Sequence, residues 1–190
     1  VQTNHPDIII FQDYDKGVLT QGIIRDIMQL ATEAKIKVCV DPKRINFWAY
    51  DDVLLFKPNL KELKEGLKMN HIYQTDEFIL KDAIIALQNK INAEIVLVTL
   101  SDEGMVIRYS VESEGFQYQS IPAHLRHIAD VSGAGDTVIS VASLCLAAGF
   151  SPLLSAEIAN VAGGLVCEEV GVVPINAKRL SEEIERLNLY

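Results

Sequence analysis

Residues 7–41 read DIIIFQDYDKGVLTQGIIRDIMQLATEAKIKVCVD. The stretch runs from an apolar segment through a polar loop and a helical period to a second apolar segment. DIIIF at 7–11 has no polar alternation and suits a strand covered on both faces. Ile23, Ile24, Ile27, Met28, Leu30, Ala31 and Ala34 recur at helical spacing, which predicts an amphipathic helix over 20–35. KVCVD at 37–41 reads as the next strand, stopped by Pro42.

The same grammar continues along the chain. VLLFKPN (53–59) is a strand ended by proline, and NLKELKEGL opens a short helix with Asn59 as its N-cap. Helical periodicity returns over 75–91, and EIVLVTL (94–100) is strongly β-prone. With MVIRYS and EGFQYQSIP it makes a small meander over 94–122. Three helices follow at 136–149, 153–168 and 176–188, the first apolar nearly all round. Strands interleaved with helices predict an α/β fold, a mostly parallel central sheet, in a single domain over 1–190. In such folds ligands lie at the carboxyl ends of strands, so the loops there are the places to look for chemistry.

Composition narrows the partners. A net charge of −9 with no basic stripe excludes a nucleic-acid surface, and no apolar run is long and uninterrupted enough to span a bilayer. Cys39, Cys145 and Cys167 are far apart in apolar surroundings and read as free buried thiols of a cytoplasmic protein. The chain opens at Val1 and enters a strand almost at once, which reads as a piece of a longer protein.

Several strand-end loops carry candidate groups. Lys16 in DYDKG either meets a phosphate or is a solvated loop lysine; Asp41 and Lys43 flank Pro42 in what is otherwise a plain turn. Asn59 and Glu62 stand three apart at a helix start, suited either to Mg²⁺ held through water or to a capping box. Thr99, Ser101 and Gly104 in VTLSDEG either line a nucleotide or make a hairpin turn. DVSGAGDTVIS at 130–140 says more. Gly133, Ala134 and Gly135 lead into a helix start that offers unpaired N–H groups to an anion. Asp136 there is either a proton acceptor or the helix cap.

Together these segments resemble the ribokinase (PfkB) family of sugar and nucleoside kinases. DVSGAGDTVIS is similar to that family's D-[TV]-x-GAGD signature, KPNLKE to its N-x-x-E magnesium motif, and VTLSDEG to its T-L-G-x-x-G nucleotide loop. AEIANVAGGLVCEEVGVV (156–173) resembles the helix and loop that close over adenine. QDYDKGVLT and VDPKRINFWAYDDVLLFKPNLKE resemble segments of the family's heptose-7-phosphate kinases. The resemblance implies a ribokinase-like three-layer α/β/α sandwich, of which this chain holds the C-terminal two-thirds, without the sugar-binding and lid part. It implies an ATP-dependent kinase acting on a phosphorylated sugar, D-glycero-β-D-manno-heptose 7-phosphate at O1, for ADP-heptose and lipopolysaccharide synthesis. Another sugar or nucleoside acceptor, or a binding regulator without turnover, is the alternative.

By the same resemblance Asp136 is the base, and the Gly133, Ala134 and Gly135 backbone with that of Asp136 is the anion hole. Asn59 and Glu62 organise Mg²⁺ through water. Lys16 sits near the phosphates, Thr99, Ser101 and Gly104 line the nucleotide, and Asn160 and Gly163 lie near adenine. Asp130 and Ser132 lie where some family members bind K⁺. A homodimer is implied for the full-length protein. The chain departs from the pattern with Ser101 for glycine, Gln12 for serine, Val141 for a smaller residue and Gly163–Gly164 within an alanine run. His5, His71, His124 and His127 show no metal-like pairing, with the last two read as surface groups, and Trp48 and Tyr50 are expected to pack beneath the DPK turn.

Overall fold

The computed structural model describes residues 5–69, 77–111, 113–124 and 127–189. Six strands lie side by side in chain order: β1 (Ile8–Gln12), β2 (Lys37–Asp41), β3 (Leu55–Phe56), β4 (Ile95–Thr99), β5 (Met105–Val111) and β6 (Gly115–Ile121). β1 to β4 run parallel, and β5 and β6 turn back antiparallel as the expected meander. Helices α1 (Gln21–Ala34), α2 (Leu60–Leu67) and α3 (Glu77–Ile91) cover one face. On the other face lie α4 (Ala134–Ala147), α5 (Pro152–Val166) and α6 (Ala177–Leu187). The chain therefore forms the expected three-layer α/β/α sandwich.

Two-sided burial explains the unbroken apolar runs. Val38 and Val40 pack under α1–α3, whereas Cys39 between them packs under α4–α6. Val96 and Val98 divide from Ile95 and Leu97 in the same way. A polar residue at any of these positions would lose its water on either side. Local signals set the helix starts: Thr20 caps α1 by accepting from Ile23 N, and Ser151 caps α5 with Pro152 in its first turn.

Some expectations shift. The strand foreseen over 53–59 shrinks to Leu55–Phe56, because Pro58 has no N–H for a ladder. The segment nevertheless stays alongside β2, with Leu54 N and Lys57 N each donating at 2.8 Å to Val38 O and Val40 O. Tyr50 is buried and donates to Asp13 Oδ2 at 3.3 Å, but Trp48 stays partly exposed beneath Lys90, whose Nζ lies 3.6 Å from the ring centre. In the charge-rich KELKEGL helix Glu62 is buried. Cys39 and Cys145 are buried as expected, whereas Cys167 is only half-buried. His71 lies outside the described residues, as do the first two positions of the helix expected over 75–91.

Candidate active site

Gly133 is the N-cap of α4, in the left-handed region at φ 81, where a Cβ would also press on Val172 Cγ1 at 3.1 Å. No side chain caps this helix, so the first-turn N–H groups of Gly135 and Asp136 have no intrahelical acceptor and face outward at the positive end of the dipole. The helix begins two residues before Asp136, and that side chain is not its cap. The Asp136 carboxylate turns instead toward the end of β1. Gln12 Nε2 donates to its Oδ1 at 3.0 Å and the Tyr14 hydroxyl to its Oδ2 at 2.5 Å. Bonding to Asp136, with burial and the Asp136 and Asp41 charges adding, pushes the Tyr14 phenol up to about 12.

Gln12 also ties the site inward. Its Nε2 donates to Asp41 Oδ2 at 3.0 Å, and the same oxygen lies 3.1 Å from Lys57 Nζ, with both charged side chains buried. Lys43 spans Asp41 Oδ1, at 3.6 Å, and Glu62, to which it donates a hydrogen bond. Burial pulls the Lys43 ammonium down, but the Glu62 bond and the neighbouring Asp41 charge outweigh it and leave it above the ordinary lysine value. Glu62 and Asn59 form a capping box: Asn59 N donates to Glu62 Oε2 and Glu62 N to Asn59 Oδ1, each at 2.8 Å. A continuous polar chain thus runs Glu62–Lys43–Asp41–Gln12–Asp136. Asp41 Oδ1 is buried and accepts no hydrogen bond. Hard oxygen donors with an unspent carboxylate oxygen are the chemistry that suits Mg²⁺. Among the described residues no three acids, histidines or cysteines converge on one point.

Beside the α4 start opens a cavity of about 290 Å³. Thr99, Ser101 and Gly104 line one side; Ala134, Gly135, Asn160 and Gly163 line the other. Seven of the residues singled out from sequence therefore border one space. Gly104 has no substitute there: its φ is +93, and a Cβ would sit 2.2 Å from Ile121 O. Ser101 also sits at positive φ, 59, so the departure from glycine falls where glycine is favoured. Asn160 Nδ2 donates to Pro122 O at 2.9 Å, holding α5 to the end of β6. At Gly163 a Cβ would stand 2.8 Å from Val138 Cγ2, so the α4–α5 contact needs glycine there whatever binds.

A profile of the pfkB family of carbohydrate kinases matches residues 16–179. The chain belongs to that family. Its relatives include the bifunctional protein HldE of Granulibacter bethesdensis, 36% identical over 93% of this chain and 36% of that one. HldE of Desulfatibacillum aliphaticivorans is 35% identical over 94% of this chain and 35% of its own length. The chain spans about a third of the curated relatives it matches. In fold it is similar to phosphofructokinase-2 from Escherichia coli (TM-score 0.80, 20% identity, 95% of this chain and 57% of that one). It is similar also to ribokinase from Arabidopsis thaliana (TM-score 0.72, 19% identity, 93% and 55%).

Within this pfkB chain the other seven expected residues, Lys16, Asn59, Glu62, Asp130, Ser132, Gly133 and Asp136, are not part of the cavity lining. Lys16 is exposed in the loop after β1. Asp130 staples its own loop, accepting from Ser132 N at 2.9 Å and Ser132 Oγ at 2.8 Å on one oxygen and from Gly171 N at 3.0 Å on the other. The Ser132 donors hold its carboxyl below the usual range. Residue patterns missed several neighbours. Tyr14 entered only within the QDYDKGVLT resemblance and without a role, and Asp41, a candidate of the DPK turn, was not paired with Lys57. His124, read as a surface group, is half-buried and borders the cavity, as does Cys167.

Proposed function

We propose that the full-length protein carrying this chain is an ATP-dependent sugar kinase, and that this chain is the nucleotide half of its kinase domain. The acceptor is O1 of D-glycero-β-D-manno-heptose 7-phosphate, and the product serves ADP-heptose and lipopolysaccharide synthesis in the cytoplasm. The observation that carries the reading is Asp136 in the uncapped first turn of α4, beside the cavity bordered by Thr99, Ser101, Gly104, Asn160 and Gly163. The choice of sugar is supported by the HldE relatives and by the QDYDKGVLT and DPK segments.

ATP enters the cavity with its adenine toward Asn160 and Gly163 and its phosphates toward Gly133, Ala134 and Gly135. The free N–H groups of the α4 first turn stabilise charge on the transferring phosphoryl group, and Lys16 draws in from its loop. Asp136 takes the proton of the sugar hydroxyl as its oxygen attacks the γ-phosphorus in line and ADP leaves. Gln12, anchored on Asp41, keeps the Asp136 carboxylate oriented. Asn59 and Glu62 would hold Mg²⁺ through water, and the ion, when bound, neutralises phosphate charge. Asp130 and Ser132 border a K⁺ site in this reading, which K⁺-dependence of the rate checks. The active unit is a homodimer.

The test is ADP release by the full-length protein with Mg-ATP and heptose 7-phosphate, set against ribose and fructose 6-phosphate. Asp136→Asn is expected to lower kcat by about 10²–10⁴, the usual worth of a general base. Equal activity of the variant would remove Asp136 as the base. ADP release with another sugar alone would move the acceptor, and ATP binding without turnover on any of them would leave a regulator of the same fold.

A further inference from the structure

The two oxygens of Asp136 are held in different ways. Oδ1 takes its bond from Gln12, whose amide is itself fixed by a second bond to the buried Asp41. Oδ2 takes its bond from Tyr14, a side chain 52% exposed on the loop after β1. That loop is locally anchored through Asp13 and Asp15: Asp15 N donates to Asp13 Oδ1 at 2.9 Å, and Asn46 Nδ2 to Asp13 Oδ2 at 2.9 Å. The phenol O–H is thus presented to the carboxylate by a fixed backbone but on a side chain free to turn into solvent.

We propose that Tyr14 makes the site select a sugar hydroxyl over water as phosphoryl acceptor. The inference rests on Asp136 being the base. A phenol O–H on Oδ2 occupies the place that an acceptor hydroxyl must take to give up its proton. With nucleotide bound and no sugar present, a water molecule would have to displace Tyr14 to use the base. It would then attack the γ-phosphorus, its proton would pass to Asp136, the bond to the ADP oxygen would break, and ADP and inorganic phosphate would be released. A single water gains in that exchange only the bond it replaces. A sugar held elsewhere in the full-length protein brings further contacts and displaces the phenol. The raised phenol pKa is consistent with this arrangement, since the tyrosine keeps its own proton beside the carboxylate.

The experiment uses the full-length protein as wild type, Tyr14→Phe, Asp136→Asn and the double variant. Tyr14→Phe keeps the ring at a half-exposed position and removes only the hydroxyl. Sugar-independent ADP release is expected to rise about 10-fold in Tyr14→Phe, the weight of one charge-assisted hydrogen bond. The KM for the sugar is expected to fall by a similar factor, about 10-fold, because the acceptor no longer competes with the phenol. In the double variant the extra ADP release should vanish. Unchanged or slower sugar-independent ADP release in Tyr14→Phe overturns the inference, as does a fall in kcat with an unaltered KM, which would make Tyr14 a plain orienting group. Wild-type activity in Asp136→Asn is a separate result: it removes the base assignment itself.

Discussion

Lys57 and Asp41 meet at 3.1 Å, each side chain 3% exposed, under the first turn of α4. The parallel register that pairs Val40 with Phe56 brings the next residues of the two strands side by side. A Cβ on Gly135 would lie 3.7 Å from Lys57 Nζ and 3.9 Å from Asp41 Oδ2, so the helix start rests on this ion pair. Buried charges of opposite sign this close lose water and regain it as mutual attraction, which makes the pair costly to break and cheap to replace whole.

Lys57→Met should therefore cost about 3–5 kcal/mol, since it leaves Asp41 buried without its close partner. Lys57→Met combined with Asp41→Leu should recover most of that loss. Urea unfolding of this chain measures both. The double variant also removes the anchor of Gln12, so the full-length protein should regain stability without regaining kinase rate.

The turn between β4 and β5 carries two opposite expectations. Gly104→Ala should destabilise by about 3 kcal/mol or more, because positive φ and a 2.2 Å approach to Ile121 O leave no room for a methyl. Ser101→Gly should be neutral to stabilising by about 1 kcal/mol, since a left-handed non-glycine residue gives up its strain against the greater freedom of unfolded glycine. Thermal melts of the two variants, expected to move in opposite directions or with Ser101→Gly unmoved, check the pair.

Alkaline pH tests the sheet's buried thiol. Burial raises Cys39 from 9.0 to about 11, so the folded state holds a proton that the unfolded chain releases first. Its contribution is whole below pH 9 and is lost as pH climbs toward 11, an order of about 3 kcal/mol. Cys39→Ala should flatten that part of the stability curve relative to wild type, read by urea unfolding at pH 8, 9.5 and 11. A parallel decline in both proteins would place the loss elsewhere.

Much of the fold was readable because its determinants are local. DIIIF, KVCVD and EIVLVTL announce two-sided strands by having no polar alternation, and Asn59 marks a helix start by a cap a few bonds long. Proline curtailed β3 more than a run of apolar residues suggested, since a missing N–H outweighs side-chain preference. Readable too were seven of the residues that border the cavity: Thr99, Ser101, Gly104, Ala134 and Gly135 sit at a strand end or a helix start where α/β sheets leave backbone groups open, whereas Asn160 and Gly163, inside α5, entered only through a family resemblance.

By itself the sequence determined the order of elements, the sandwich and the presence of a helix start with an acid in its first turn. Whether that acid capped the helix or faced a neighbour was left to the tertiary structure. Gln12 and Tyr14 lie 124 and 122 residues from Asp136, and only the stacking of α4 on the end of β1 brings them within 3.0 and 2.5 Å. Hydrogen bonds and ion pairs act over a few ångströms of space, and spacing along a chain encodes such proximity only within a turn or a helix. The contacts that tie Asp136, Asp41, Lys57 and Glu62 together arise from sheet register and helix packing.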